Sequence, residues 1–444
     1  MTETLGIIAG NSAWMLISAS LVWLMTPALA LFYGGLSRQK SVLNMIMMSI
    51  GSLAVVSIIW VLWGWSASYG GTSIAGIVGN PFEQFALRGA IYEPGTGGEF
   101  APTDGSAYAT LIDVGFQLTF AVISTAIISG ALAERVKFGA WLLYAGIWVS
   151  LVYIPLAHMV WNGGLLSHAE NSIASWMFGT TSDGEGGLVA AVAPIDFAGG
   201  TVVHISAGTT ALVLAYIIGK RQVFPKATRP HNLPLVVLGG SLLWFGWFGF
   251  NAGSAFAADG LAALAWINTV VAPAAAGLGW MLVEKLRDGQ ATTLGLISGA
   301  VAGLVAITPA AGNVDPWAAI ILGATGGALC AYGVGLKYKL GFDDSLDAVG
   351  IHLIGGLWGT VALAFFANSG GIFTGGDVNG WAQLAVQIVI ALVAMVFSAV
   401  IAALIGLVVK VTIGWRVSDE DEHMGIDRQI HGETAYEQAS GLLA

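Results

Sequence analysis

The chain has 444 residues, of which 56% are hydrophobic and only 9% are charged, and its formal net charge is −10. A soluble globular protein carries about 25% charged residues, so this composition excludes a soluble globule and indicates a polytopic membrane protein. The single cysteine, Cys330, excludes an intramolecular disulfide and a cysteine metal cluster. Much of the negative charge lies in the C-terminal segment and in loops, so it does not indicate a cationic partner.

Apolar stretches of the roughly 17–25 residues that a spanning helix needs recur eleven times along the chain. We predict spanning helices at residues 12–33, 43–64, 108–133, 139–160, 197–218, 233–252, 261–283, 292–308, 317–336, 349–367 and 381–410. The first stretch lacks a preceding basic segment and is longer than a signal-peptide core, so we predict a true spanning helix. An odd number of crossings places the two termini on opposite sides of the bilayer.

Basic residues are distributed unevenly around these spans. Of the 16 lysines and arginines, all except Arg88 fall on one side of the predicted arrangement. The positive-inside rule then places the N-terminus outside and the C-terminus in the cytoplasm, in the plasma membrane. The predicted fold is all-α, with a transmembrane domain over residues 1–411 and a cytoplasmic tail over 412–444.

The ten spans before the last one divide into two halves, residues 12–218 and 233–367. Because each half has five spans, an odd number, the second half must be inverted relative to the first. Inverted repeats of this kind place a substrate site near the middle of the bilayer, where the halves meet. The predicted fold is therefore an inverted five-plus-five repeat followed by one last helix, 381–410.

Two similar stretches place a histidine inside an apolar span. They read D-F-A-G-G-T-V-V-H-I-S-A-G from Asp196 to Gly208 and D-S-L-D-A-V-G-I-H-L-I-G-G from Asp344 to Gly356. In both, the histidine follows the first aspartate by eight residues. An ionisable residue within a membrane is costly and marks a functional site by default. The repetition indicates an internal duplication.

We predict that His204 and His352, each in the last helix of its half, form a pair in the pore. Two imidazoles can hydrogen-bond to each other and offer a remaining nitrogen to a small polar guest. The alternative is a neutral histidine bonded to a carbonyl of a neighbouring helix. No third ligand joins the pair in the sequence, so no metal site is predicted.

Asp196 lies just before the fifth predicted span, after a proline and an isoleucine. We expect it to begin the helix as an N-cap that accepts backbone N–H groups, because unsatisfied donors are costly in a membrane. A direct role as a substrate ligand stays open.

Aromatic residues are a further signal. They cluster at Phe116–Phe120 in the third span, at Trp161 at the end of the fourth, and at residues 244–254 in the sixth. Tryptophan at helix ends usually forms an interfacial belt, which accounts for most of the 17 tryptophans. An aromatic face combined with a hydroxyl oxygen also binds a lone cation well.

Together these motifs resemble the ammonium transporter, methylammonium permease and Rhesus protein family, and the bacterial ammonium transporters most. The resemblance covers essentially the whole chain. Besides the two histidine motifs it rests on W-F-G-F-N-A-G-S, G-A-L-A-E-R, F-Y-G-G-L and Y-I-P-L-A-H-M-V-W. It implies a homotrimer of eleven-helix subunits, each with its own pore for ammonium, with methylammonium as an analogue. It implies no enzyme activity, no cofactor and no nucleic-acid partner.

The resemblance also implies roles for individual residues at matching motif positions. These are Phe120, Trp161 and Ser254 for an outer ammonium site, Phe120 and Phe250 for a stacked phenyl gate, His204 and His352 for the pore, and Asp196 as a structural acid. Dehydrating a whole cation costs on the order of 20 kcal/mol by an idealised estimate. We therefore expect ammonium to lose its proton near the phenyl rings, whereas the later path of the proton stays open.

Three segments outside the spans carry expectations of their own. Residues 65–107, with Glu83, Glu93, Glu99 and Asp104, are predicted to form an ordered extracellular flap. The acidic run Asp419–Glu422 is predicted to be a solvated linker. The stretch G-I-D-R-Q-I-H-G-E-T-A-Y, residues 425–436, resembles the family's regulatory tail, which implies docking of a P-II-type signalling protein.

Two other functions are compatible with parts of the sequence. An ammonium sensor that signals through a cytoplasmic partner would usually carry an appended signalling domain, and the short tail argues against one. A cation-coupled carrier for another solute predicts broken helices and several intramembrane carboxylates. This sequence instead offers mainly histidines.

Overall fold

The computed structural model describes residues 2–90 and 108–436, with side chains from residue 6 onward. In these ranges, eleven helices are long and apolar enough to cross a membrane, which confirms the predicted number. The spanning helices are α1 (Gly6–Leu36), α2 (Gln39–Tyr69), α3 (Thr110–Leu132), α4 (Phe138–Trp161), α5 (Gly200–Ile218), α6 (Leu233–Gly253), α7 (Gly260–Asp288), α8 (Thr293–Ala310), α9 (Pro316–Leu340), α10 (Val349–Phe366) and α11 (Gly380–Thr412).

Several of these helices change pitch along their length. Turns of π-helix occur at Trp60–Gly64 in α2, Val149–Tyr153 in α4, Gly200–Ile205 in α5 and Val349–Leu353 in α10. Turns of 3₁₀-helix occur at Gln39–Ser41, Ser129–Leu132 and Thr308–Ala310. Because π-turns are rare and concentrate at functional sites, the turns that begin α5 and α10 are of particular interest.

The segments between the spans contain short elements. Among the described residues, three antiparallel hairpins pair Ser73–Ile74 with Val78–Gly79, Thr180–Ser182 with Leu188–Ala190, and Gly370–Gly371 with Gly375–Gly376. Short helical segments lie at Phe85–Leu87, Ile173–Phe178, Asp419–Met424 and Asp427–His431.

The predicted flap, residues 65–107, begins differently from the prediction. Helix α2 continues to Tyr69 before the chain turns. Glu83 then closes the following loop by accepting hydrogen bonds from the backbone N–H groups of Gly71 and Thr72, at 3.2 and 2.9 Å. Glu93, Glu99 and Asp104 lie outside the described residues.

The two halves meet through corresponding helices. Helix α1 packs along α6, and α5 packs against α10, so the first and the last helices of each half contact their counterparts. A Cβ atom added at Gly249 of α6 would lie 2.6 Å from the carbonyl oxygen of Ser18 in α1. Glycine therefore permits this close approach, which matters because helices in lipid associate through van der Waals packing.

Charged side chains gather at one end of the bundle, which we call the tail face because residues 413–436 pack there. Arg221 binds Asp343 at 2.9 Å and Glu134 at 3.1 Å, and Arg38 binds Glu134 at 2.6 Å. Both carboxylates are fully buried. The network joins the end of α1, the α3–α4 loop, the end of α5 and the α9–α10 loop.

The expectation that Asp419–Glu422 is a solvated linker is wrong. Residues Asp419–Met424 form a short helix, and Glu422 is only 1% exposed. The Glu422 carboxylate pairs with Arg416 and accepts a 2.7 Å hydrogen bond from the backbone N–H of Gln222. The acidic composition indicated a solvated segment. The Glu422 carboxylate is nevertheless buried, because its partners are Arg416, six residues before it, and Gln222, which is distant in sequence.

The next part of the tail contacts the start of α2. Asp427 accepts hydrogen bonds from the backbone N–H groups of Leu43 and Asn44, at 2.9 and 2.8 Å. These groups lie in the first turn of the α-helical part of α2, where N–H donors have no partner within the helix. The tail is thus anchored to the transmembrane bundle by side chains of its own.

Candidate functional site

His204 and His352 lie side by side where α5 and α10 cross. Their Nδ1 atoms are 3.2 Å apart, and the rings are 23° from parallel. A neutral imidazole has one N–H group and one bare nitrogen. One Nδ1 must therefore donate and the other accept, which leaves one Nε2 as an acceptor and the other as a donor. In the described part of the chain, no metal-binding group of three or more His, Cys, Asp or Glu side chains occurs.

Asp196 closes the beginning of α5. Its Oδ2 atom accepts hydrogen bonds from the N–H groups of Thr201 and Val202, at 3.1 and 3.2 Å. Contrary to the prediction, Asp196 is not the N-cap residue itself. The helix begins at Gly200, and Gly199, whose φ angle is 109°, occupies the cap position. Burial raises the pKa of Asp196 to about 6, against the opposing effect of these N–H donors.

Asp344 does the same for α10 at the opposite face of the bundle. Its carboxylate accepts hydrogen bonds from Ala348 N at 3.0 Å and from Val349 N at 2.8 Å. Each histidine thus lies in a π-turn whose first N–H groups are capped by an aspartate upstream. The repeated sequence motif produces the same local structure twice, once from each face.

Phe120 and Phe250 form a stacked pair next to the histidines. Their ring centroids are 4.2 Å apart, with an angle of 27° between the planes, and both side chains are buried. Phe250 lies 6.2 Å from the ring of His204. The two phenyl rings belong to α3 and α6, one from each half, so their stacking depends on how the halves pack.

A narrow cavity continues along the two histidines. Its volume is about 10 Å³, close to the minimum for a single water molecule. Apart from the imidazoles its wall is mostly apolar and includes Trp247, Ile127 and Val301. The space is large enough for about one water-sized molecule.

A wider cavity of about 380 Å³, which we call the vestibule, lies on the other side of the phenyl pair. It is lined by Tyr69, Tyr108, Asp113, Gln117, Phe120, Trp161, Phe197, Ser254 and Phe256. The structure therefore brings Phe120, Trp161 and Ser254 to one cavity. Its end of the bundle is called the vestibule face below.

Two hydrogen bonds orient the polar groups of the vestibule. The indole N–H of Trp161 donates to the backbone oxygen of Asp196 at 2.9 Å, and the Trp161 ring stands at 88° to that of Phe120. The hydroxyl of Ser254 donates to the backbone oxygen of Phe250 at 2.8 Å. Because its proton is used in this way, Ser254 can only accept further hydrogen bonds.

Sequence reasoning missed several lining residues, of which Asp113 and Gln117 are the most polar. They lie one turn apart near the start of α3. A signal for Asp113 was present, since an acidic residue inside an apolar span marks a functional site by default. No comparable signal exists for Gln117 or Tyr69, whose positions follow from the packing of α2 against α3.

Comparison with known proteins agrees with this architecture. The profile of the Ammonium Transporter Family matches residues 13–436, nearly the whole chain. The chain belongs to the ammonium transporter family. Among its relatives, the ammonium transporter of Mycobacterium tuberculosis is 48% identical over 97% of this chain and 91% of its own. The ammonium transporter of Bacillus subtilis is 45% identical over 97% of this chain and 99% of its own.

Solved structures share the fold. Saccharomyces cerevisiae Mep2 superimposes with a TM-score of 0.79 and 29% identity, over 97% of this chain and 92% of its own. A structure titled Sensor Amt Protein reaches a TM-score of 0.80 with 28% identity, over 95% of this chain and 98% of its own. Family and fold together support ammonium transport through a multi-pass membrane protein. The family is one of transporters rather than enzymes.

Proposed function

We propose that this ammonium transporter binds ammonium in the vestibule, removes a proton at the phenyl pair and conducts ammonia past His204 and His352. The observation that carries the proposal is the order of the three parts along one path. A vestibule of about 380 Å³, with aromatic rings and a few polar groups in its wall, leads to two stacked rings and then to a passage of about 10 Å³.

The vestibule suits a small cation that donates hydrogen bonds. The faces of Trp161 and Phe120 attract positive charge through their ring quadrupoles. Ser254 adds an acceptor whose own proton is already used. Ammonium differs from potassium in donating hydrogen bonds, so directional acceptors favour it, whereas cavity width alone discriminates poorly between two cations of similar size.

The narrow passage favours a neutral species. Stripping a cation of water and moving it into an apolar medium costs on the order of 20 kcal/mol in an idealised estimate, and ammonia avoids most of this cost. The histidine pair presents one donor and one acceptor nitrogen to the passage, which matches the hydrogen-bonding capacity of ammonia. A neutral pair also keeps fixed charge out of the middle of the membrane.

We further infer that the vestibule face is extracellular and the tail face cytoplasmic, in the plasma membrane, because all lysines and arginines but Arg88 fall on the tail side. We propose a homotrimer, in line with the family, with a P-II-type protein docking at the tail face. The likeness to a solved sensor Amt protein supports a signalling partner there.

The first test measures charge movement in proteoliposomes after a pulse of ammonium. A transient inward current that saturates with ammonium is expected if the proton follows its own path inward. Uptake of ammonia without current would mean that the proton returns outside. Absence of both would contradict the proposed function.

The second test addresses the vestibule. Trp161→Leu removes the cation–π face, worth roughly 0.5–2 kcal/mol, so the half-saturating ammonium concentration should rise while the maximal rate is kept. Trp176→Leu is the matched control, because Trp176 is 67% exposed and does not line the vestibule. An unchanged concentration dependence in Trp161→Leu would exclude the vestibule as the binding site.

A further inference from the structure

The vestibule contains a carboxylate that neither the aromatic site nor the pore uses. Asp113 lies in the first turn of α3 and lines the cavity together with Trp161, Phe120 and Ser254. No ion pair joins it to a described residue, and its Oδ1 atom is buried without a hydrogen-bond partner in the described part of the chain. A buried acceptor left in this state is destabilising, so the arrangement calls for a donor.

The neighbouring oxygens share this property. Gln117, one turn further along α3, has a buried Oε1 atom with no partner among the described residues, and the same holds for the Tyr69 hydroxyl. Both residues line the same cavity. Ser254 also offers only lone pairs, because its proton is used in the bond to Phe250. One wall of the vestibule is therefore rich in hydrogen-bond acceptors and includes one carboxyl group.

The other carboxylate of this region has a structural use. Asp196 Oδ2 accepts two backbone N–H bonds at the start of α5, and although its Oδ1 also has no partner in the described part of the chain, Asp196 does not line the vestibule. If Asp113 had a purely structural role, its carboxylate should accept hydrogen bonds from protein groups, for example from the first N–H groups of α3. Neither its own helix nor a neighbour donates to Oδ1 in the described structure. The two aspartates thus differ in position and in use, because Asp113 lines the vestibule without capping a helix, whereas Asp196 caps α5 and does not line the vestibule.

We propose that Asp113 is a direct ligand of ammonium, with Gln117 as the second acceptor on the same helix. This inference rests on the proposed function and adds a charged ligand to the aromatic site. A small cation with several N–H donors satisfies the buried oxygens while its charge is balanced by the carboxylate and by the faces of Trp161 and Phe120. The site is thereby specific for a cation that donates hydrogen bonds, and anions are repelled from it.

The experiment measures ammonium-evoked current against ammonium concentration in proteoliposomes that contain the full chain. Asp113→Asn keeps the shape of the side chain but removes its charge, and it should raise the half-saturating concentration about tenfold, which corresponds to ~1.4 kcal/mol. The maximal current should stay within about twofold, since the variant does not alter the pore. The double variant Asp113→Asn with Gln117→Glu returns a carboxylate one turn away and should recover most of the affinity.

Asp377→Asn is the matched control, because Asp377 is an exposed residue in the loop between α10 and α11, at the vestibule face. It should leave the half-saturating concentration unchanged. Should Asp113→Asn fail to fold, as judged by size-exclusion chromatography, Gln117→Met tests the second ligand and should raise the concentration about threefold.

The outcomes separate this proposal from the function on which it rests. If Trp161→Leu shifts the concentration dependence but Asp113→Asn and Gln117→Met do not, the vestibule binds ammonium and the ligand role of Asp113 is wrong. If none of the three variants shifts it, binding in the vestibule is itself wrong. A loss equal in Asp113→Asn and Asp377→Asn would mean that the aspartate acts only through the general surface charge, which would also overturn the ligand role.

Discussion

At the scale of the residue, the important property of the two histidines is that neither carries a net charge when it is neutral. A neutral imidazole pair supplies a donor and an acceptor without placing a charge in the membrane. The Nδ1 atoms, 3.2 Å apart, already satisfy one another, so each ring has one nitrogen left. A carboxylate in the same place would provide acceptors and a charge, which changes the species that can enter the passage.

The first prediction follows from this difference. His204→Glu places a carboxylate in the passage, and its ionised fraction attracts any dehydrated monovalent cation. We expect potassium to permeate alongside ammonium, with the protein still folded. Potassium and ammonium currents measured on the same vesicles give the ratio directly.

The matched variant is His352→Glu, which we expect to act more mildly because His204 is the histidine that stacks on Phe250 of the phenyl pair, at 6.2 Å between ring centroids. Folding is checked separately by size-exclusion chromatography. If intact, conducting His204→Glu protein still excludes potassium, the selectivity lies elsewhere, and the pair of Phe120 and Phe250 is the next site to test.

At the scale of the element, the pore depends on how closely α1 and α6 approach. Helix α6 carries Phe250, so a shift of α6 relative to α1 displaces one ring of the phenyl pair. Gly249, next to Phe250, faces Ser18 of α1 with no room for a side chain. Gly249 thus permits the close packing of α1 and α6, and this packing sets the position of the Phe250 ring.

The second prediction tests this contact. Gly249→Ala places a Cβ atom 2.6 Å from the Ser18 carbonyl oxygen and forces the helices apart. Overpacking of this kind typically costs about 1–3 kcal/mol. The midpoint of thermal unfolding in detergent should fall, and the ammonium-evoked current should fall with it.

Gly115→Ala in α3 is the control, because a Cβ atom there meets no other atom within 4 Å. Alanine is also the better helix former, so this variant should be neutral or slightly stabilising. Equal unfolding midpoints for the two variants would show that the contact between α1 and α6 tolerates a methyl group.

At the scale of the whole molecule, the charge network of the tail face holds segments from both halves together. Burial raises the pKa of Asp343, but the hydrogen bonds and charge of Arg221, with the charge of Arg135, outweigh it and hold the pKa below its usual range. Because the pKa is lower in the folded state, the ionised carboxylate stabilises the fold at pH values above about 3.9, which is the ordinary pKa of an aspartate. This stabilisation is lost as the pH falls through the lowered pKa.

The third prediction is that Asp343→Asn destabilises the protein at neutral pH, by about 3–5 kcal/mol, because Arg221 loses its main buried partner. The variant should also lose less stability than the wild type between neutral and strongly acidic pH. Chemical unfolding in detergent at a series of pH values measures both. In contrast, Asp288→Asn removes an exposed partner of Arg287 and should leave the stability almost unchanged, because exposed ion pairs contribute little. Identical pH profiles for wild type and Asp343→Asn would contradict the assignment.

The fourth prediction concerns the tail. Deletion of residues 425–444 removes Asp427 and its two bonds to the start of α2, while Glu422 and its partners remain. We expect the spanning bundle to stay folded and the ammonium flux to be reduced or unregulated. Normal flux together with unchanged binding of a P-II-type protein would show that this segment has no regulatory role.

Hydropathy and length by themselves determined the eleven spans, because a helix that crosses the bilayer needs about 20 consecutive, mostly apolar residues, which can be read from the local sequence. The repeated Asp-to-His spacing likewise predicted a pair of related helices. Only the tertiary structure decided that Asp113 and Gln117 line the vestibule beside Trp161, and that Phe120 of α3 stacks on Phe250 of α6. It also decided that Glu422 is buried within an acidic run. Such contacts join side chains far apart in sequence, and they depend on which helix faces meet, which no local pattern specifies.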